Sequence, residues 1–140
     1  MGVWQVILSG YTPYSATVPD ERLPHIVRRV TKQIQKTSLG AESSVGWKKI
    51  DDLKIELARL KADGFLIAAL EQAADSENLD SFTSPGPIAL IVGNEVDGVD
   101  EATLKDSDKK LHIPMRGRKE SFNVSVAAAI ALYHLTRLDK

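Results

Sequence analysis

The sequence contains no cysteine. That excludes disulfides and every metal site built on thiolates. It also lacks an apolar run long enough to span a bilayer, and no basic N-terminal region leads into an apolar stretch. Nothing in it therefore reads as a membrane span or a secretory signal, and a cytoplasmic protein is the expectation. Charge of one sign is missing too, since 18 basic residues against 19 acidic ones leave a net charge of −1. Binding to nucleic acid would need a local basic patch. There is no Gly-x-Gly-x-x-Gly and no phosphate-binding loop. His25, His112 and His134 are scattered without zinc spacing. Glu95, Asp97, Asp100 and Glu101 form an acidic cluster without the order of a calcium loop; a solvated, loop-capping role is expected there, and no metal.

What is present is the material of an ordinary soluble domain. The chain has 140 residues, 43% hydrophobic and 26% charged. A chain of this size buries about 70% of its unfolded surface, so one domain spanning residues 1–140 is expected, with no internal repeat or linker. Val3 to Leu8 reads as a strand, ended by the turn chemistry of Gly10-Tyr11-Thr12-Pro13. Pro19 and Pro24 bracket a short segment. Ile26, Val27, Val30 and Ile34 then recur at helical spacing, and Gly40 and Gly46 punctuate the exit. Asp51 or Asp52 is placed to cap a helix with apolar positions Leu53, Leu57 and Leu60, stopped at Gly64. Phe65 to Leu70 and Pro87 to Val92 read as strands buried on both faces, and residues 71–86 as a surface loop. Asp100 to Asp106 can form one or two helical turns, and Lys110 to Ile113 a short strand.

The strongest helix is Phe122 to Leu138. Phe122, Val126, Ala129, Ile130 and Tyr133 share one of its faces, and Ala127-Ala128-Ala129 allows close packing. Leu132 and Leu135 carry apolar surface beyond that face, which suggests a partner as well as a core. Strands alternating with helices predict an α/β fold with a mainly parallel sheet. Trp4 and Trp47 are expected to be packing residues.

Directed polar groups concentrate in the last third. The run Ile88 to Val92 ends in Gly93-Asn94-Glu95 and Gly98. It should deliver an amide and a carboxylate to the carboxyl edge of the sheet, where ligands of open α/β sheets bind. Ile113-Pro114-Met115 repeats the pattern. Ser121 and Asn123 stand at the mouth of the long helix, where side-chain oxygens and unbonded N–H groups face outward. Read singly, Ser121 is a helix N-cap and Asn123 a polar residue of the first turn. Two basic clusters are candidate nucleic-acid patches: Arg22, Arg28, Arg29, Lys32 and Lys36, and then Arg116, Arg118 and Lys119 beside the candidate site. The plainer reading of either is a solvated surface.

Gly93-Asn94-Glu95 with Gly98 resembles the second motif of the SpoU (TrmH-like) branch of the SPOUT methyltransferases. Ile113-Pro114-Met115 through Ser121-Phe122-Asn123-Val124-Ser125-Val126-Ala127 resembles the third. A weaker likeness extends to Gly10-Tyr11-Thr12-Pro13 and to Lys36-Thr37-Ser38-Leu39-Gly40-Ala41-Glu42, so it covers nearly the whole chain. The resemblance implies a SPOUT-type fold with a C-terminal trefoil knot, S-adenosyl-L-methionine as cofactor, and methyl transfer to a ribose 2′-hydroxyl of tRNA or rRNA. It implies main-chain cofactor contacts at Gly93, Ile113 and Phe122, with apolar surface from Met115. Leu is usual in the family at the position of Phe122. Glu95, Ser121 and Asn123 match the residues that arrange the catalytic site, and the Asn94 side chain would hold the loop. RNA contacts would come from Arg116, Arg118 and Lys119. A homodimer through the C-terminal helix is also implied.

The family's first motif, Asn-x-Gly with an Arg four residues after the Asn, has no counterpart at Asn78, Asn94 or Asn123. The family credits that Arg with activating the ribose hydroxyl. Val3 to Leu8 resembles the family's second strand, so the expectation is an N-terminally shortened domain whose cofactor pocket is complete and whose transfer is inefficient. Arg28, Arg29 or a partner's Arg would be the substitutes. The alternative is a non-catalytic cofactor- or RNA-binding module that has lost the Arg. An unrelated nucleotide-binding α/β domain is the third reading.

Overall fold

In the computed structural model, which describes residues 2–116 and 121–137, the chain divides into two compact units, Gly2–Leu53 and Lys54–Lys140. The N-terminal unit holds β1 (Gln5–Leu8), α1 (Pro24–Ser38) and β2 (Gly46–Lys49). β1 and β2 pair in parallel, Gln5 opposite Gly46 and Leu8 opposite Lys49. β2 is not apparent in the sequence: Gly-Trp-Lys-Lys holds one large apolar residue, and pairing with β1 rather than periodicity makes it a strand. After β1 the chain turns where the Thr12 N–H and hydroxyl both donate to the Ser9 carbonyl, at 3.2 and 2.7 Å.

α1 opens at Pro24, whose missing N–H costs nothing at a first helical position. Ile26, Val27, Val30 and Ile34 are half-buried, as their spacing predicts, and His25, Arg28, Arg29, Lys32 and Lys36 are exposed. Arg22 is committed elsewhere. It pairs with Asp20 at 2.6 Å, donates to the carbonyls of Tyr14 and Ser15, and lies 3.6 Å from the centre of the Tyr14 ring. Hydrogen bonding from Arg22 holds the Asp20 carboxyl well below the usual carboxylate range. Trp47 stands beside Tyr14, but Trp4 is 67% exposed, contrary to a packing role.

α2 (Leu53–Ala62) leads into the second unit, which holds β3 (Leu66–Leu70), β4 (Glu77–Asn78), β5 (Ile88–Val92), α3 (Glu101–Asp106), β6 (Lys109–His112) and α4 (Val124–Arg137). Its sheet is wholly parallel, in the order β4-β6-β3-β5. β3 lies between two strands, and Ile67, Ala68 and Ala69 have no exposed surface. That fits its unbroken apolar sequence. β5 pairs with β3 alone among the described strands, so it is half-buried rather than covered on both faces. β6 is fastened at its start by Asp108. Its N–H donates to the Ile67 carbonyl, its carboxylate accepts the Ile67 N–H, both at 2.8 Å, and it pairs with Lys61 at 2.9 Å. Asp100 caps α3 by accepting the N–H and the hydroxyl of Thr103, as the loop-capping reading of the acidic cluster expects.

Two further sequence expectations differ from the structure. Residues 71–86 are more than a surface loop: they contain β4 and a short 3-10 turn at Leu79–Ser81, with Leu79 and Phe82 buried. Two apolar residues in a polar stretch were enough to anchor it. The second correction concerns α4. Its buried residues are Ala131 and Leu135, which join Ala68, Leu79, Phe82 and Leu111 in the core. Phe122, Val126, Ile130 and Tyr133, the face with the clearer helical spacing, are 38–58% exposed. The small Ala131 lets α4 lie against the sheet, and Leu135 one turn on follows it inward. Leu138 lies outside the described residues. Among the described residues no helix is long and apolar enough to cross a membrane.

Candidate active site

Three parallel strands end side by side, Leu70 of β3 lying opposite Val92 of β5 and Leu111 of β6. Each strand is followed at once by polar or turn-forming residues: Glu71-Gln72, Gly93-Asn94-Glu95 and, past His112, Ile113-Pro114-Met115. A cavity of about 580 Å³ opens over these ends and against the N-terminus of α4. That volume falls in the range of small-molecule sites.

The turn after β5 is built by its own amide. Asn94 Oδ1 accepts the N–H groups of Val96 and Asp97, each at 2.8 Å, and the Gly98 N–H donates to the Asn94 carbonyl at 3.1 Å. Asn94 therefore holds the loop, and Glu95 is left exposed at the cavity. Two glycines are required. A Cβ on Gly93 would sit 2.1 Å from the Gly98 carbonyl carbon, so the two ends of the turn approach too closely for any side chain. Gly98 has φ +67, a conformation that favours glycine, and a Cβ there would meet the Glu71 carboxylate at 2.3 Å.

Glu71 is the residue that the sequence reading missed. Its Oε2 accepts the Val99 N–H at 2.9 Å, its Oε1 accepts the Gln72 N–H at 3.1 Å, and its own N–H donates to the Leu111 carbonyl at 2.9 Å. One residue at the end of β3 thus ties the β5 turn to the end of β6. The signal was present: a carboxylate directly after a buried apolar run, as with Gly93-Asn94-Glu95. His112 also lines the cavity, and its Nδ1 lies 2.9 Å from Ser76 Oγ, beside the Ala73 carbonyl that accepts the Ser76 hydroxyl.

Asn123, not Ser121, is the capping residue of α4. Its Oδ1 accepts the Ser125 N–H at 3.0 Å, and its carbonyl accepts the first helical bond, from Ala127. With Oδ1 used in the cap, the Asn123 amide group keeps its N–H donors for a ligand. Ser121 lies two residues upstream with its side chain exposed.

Gly93, Glu95, Ile113, Met115, Ser121, Phe122 and Asn123 all line this one cavity. They come from three segments, 93–95, 113–115 and 121–123, the first two brought together by the pairing of β5 and β6 with β3. Ile113, Met115 and Phe122 form an apolar wall, while Glu95, Ser121 and Asn123 bring polar groups. Arg116 is exposed and does not line the cavity. Arg118 and Lys119 lie outside the described residues.

A parallel α/β fold with a cavity at its strand ends, formed by these motifs, defines the class, and comparison with known proteins identifies the family. Residues 22–133 match the SpoU rRNA Methylase family, and the chain belongs to it. It is 32% identical over 113 residues to a tRNA (guanosine(18)-2′-O)-methyltransferase of Borreliella burgdorferi, covering 79% of this chain and 52% of that protein. The crystal structure of the A. aeolicus TrmH/SpoU tRNA modifying enzyme superposes with a TM-score of 0.70 at 30% identity, over 97% of this chain and 61% of that one. The SpoU methyltransferase AviRb from Streptomyces viridochromogenes, solved in complex with AdoMet, shares the fold with a TM-score of 0.73 at 24% identity, over 97% of this chain and 50% of that one. The chain spans about half the length of the curated relatives it matches.

Proposed function

We propose that residues 1–140 act as one SpoU-like domain. It binds S-adenosyl-L-methionine in the cavity at the strand ends and transfers its methyl group to a ribose 2′-hydroxyl of tRNA or rRNA. The observation that carries this reading is the single cavity lined by residues of both motifs. The family match running through both units supports the one-domain reading. The donor set fits the cofactor. The apolar wall of Ile113, Met115 and Phe122 suits an adenine ring, and the exposed carboxylate of Glu95 suits a cationic sulfonium.

When bound, the cofactor would supply an electrophilic methyl group for the ribose hydroxyl. The protein's part is to position and to orient. The main chain at Gly93, Ile113 and Phe122 grips the cofactor. Met115 closes the apolar side. Glu95, Ser121 and the Asn123 amide orient the hydroxyl and the polar end of the ligand. Arg116, with Arg118 and Lys119, meets the RNA backbone. Family membership and the superposition over 97% of the chain support the SPOUT-type fold, to which the proposed trefoil knot of the segments carrying the two motifs belongs, and the exposed apolar residues of α4 support a homodimer through that helix. A cytoplasmic location, where tRNA and rRNA are processed, goes with the proposed substrates.

Titration calorimetry and thermal melting with S-adenosylhomocysteine test the reading. Saturable heat and a raised melting temperature are expected, because a ligand at one hundred times its Kd stabilises the native state by about 2.7 kcal/mol. The absence of both heat and shift at millimolar ligand would overturn it. Tritium transfer from labelled cofactor to bulk tRNA and rRNA, with the Asn123→Ala variant as control, tests the chemistry.

A further inference from the structure

α1 carries His25, Arg28, Arg29, Lys32 and Lys36 and no acidic residue. At 3.6 residues per turn these five positions fall within a sector of about 100°, and they run about 16 Å along the axis. All five are exposed. Among the described residues none of the five forms an ion pair, and their one side-chain hydrogen bond runs from Arg28 Nε to the Pro24 carbonyl of the same helix. Five other cations of the chain behave differently. Arg22, Arg59, Lys61, Lys109 and Lys110 each hold a carboxylate at 2.5–2.9 Å. In a chain of net charge −1, an uncompensated cationic stripe on one helix is a concentrated local field.

We propose that this stripe is an RNA-backbone binding surface: Arg28, Arg29, Lys32 and Lys36 bind phosphates of the substrate RNA. Charge complementarity argues for a polyanion such as an RNA backbone. A basic amphipathic helix can also lie on an anionic membrane, but it then needs its apolar face. Here that face, Ile26, Val27, Val30 and Ile34, is half-buried within the protein. The choice of RNA among polyanions rests on the proposed function; the stripe itself does not.

The test is fluorescence anisotropy of labelled unfractionated tRNA across a salt series, for the wild-type chain and for Arg28→Ala/Arg29→Ala/Lys32→Ala. Each phosphate contact contributes about 0.7–0.9 to the slope of log K against log salt. The triple variant is expected to bind more weakly and to lose about 2 units of slope. Arg28→Lys/Arg29→Lys, which keeps the charge, should retain the slope, and circular dichroism should show both variants folded. S-adenosylhomocysteine titration of the same variants should be unchanged. An unaltered slope in the folded triple variant would overturn the proposal, as would preferential binding of phosphatidylserine vesicles over tRNA. Loss of cofactor binding in the wild type would strike the proposed function and leave the salt-slope result standing.

Discussion

Glu71 shows how much one side chain can organise at a strand end. Its carboxylate holds two backbone N–H groups, and Gly98 must be glycine partly because that carboxylate is there. Hydrogen bonds to a charged acceptor contribute about 1.5–3 kcal/mol each. Glu71→Ala would leave the Val99 N–H unpaired and loosen the turn from Gly93 to Gly98. S-adenosylhomocysteine affinity, read by calorimetry, is expected to fall by about tenfold or more, with the melting temperature lowered as well. Glu71→Gln keeps one accepting oxygen and should fall between the two. Unchanged affinity in Glu71→Ala would show that the turn holds itself through Asn94. Asn123 carries the complementary economy: its oxygen caps α4 and its nitrogen remains for the site.

At the scale of elements, the fastenings around α3 and β6 are carboxylates with lowered pKa values. Asp100 is lowered chiefly by the Thr103 N–H and hydroxyl. For Asp108, burial works toward a higher pKa, but the Ile67 N–H and Lys61 outweigh it and the net direction is down. Both groups titrate in the unfolded chain near the ordinary value of about 3.9. Their contribution to stability is therefore complete above that pH and is lost as pH falls through the lower folded values. Asp108→Asn should lower stability at pH 7 by about 1–3 kcal/mol. The gap between variant and wild type should narrow at pH 3. Urea midpoints at the two pH values check this, and a gap independent of pH would refute the assignment.

For the whole molecule, the exposed face of α4 is the feature that one chain leaves unsatisfied. Val126, Ile130 and Tyr133 of α4, with Phe122 just before it, are 38–58% exposed, while Leu135 sits at 6% exposure in the core. The two sides of the helix should therefore respond differently to charge. Ile130→Glu is expected to yield a folded monomer. Leu135→Glu buries an unpaired charge and should unfold the chain. Light scattering at tens of micromolar, together with circular dichroism, separates these outcomes. Only a 15.3 kDa species for the wild type would count against the homodimer.

The sequence by itself determined the local features that carry their own physical cause. β3 followed from an unbroken apolar run, the amphipathic face of α1 from its spacing, the α3 cap from Asp100, and the β5 turn from Gly93, Asn94 and Gly98. The motif residues were also legible as a group, because a polar turn ending an apolar run points to the same sheet edge each time. What only the tertiary structure decided depends on neighbours distant in the chain. β2 became a strand through its partner β1. Leu79 and Phe82 became core because α4 and the sheet meet there. α4 is apolar on nearly every side, so its periodicity could define faces without saying which one the sheet would take. Glu71 joined the site for the same reason: its hydrogen bonds reach Val99 and Leu111, and that closeness arises only once β3 lies between β5 and β6.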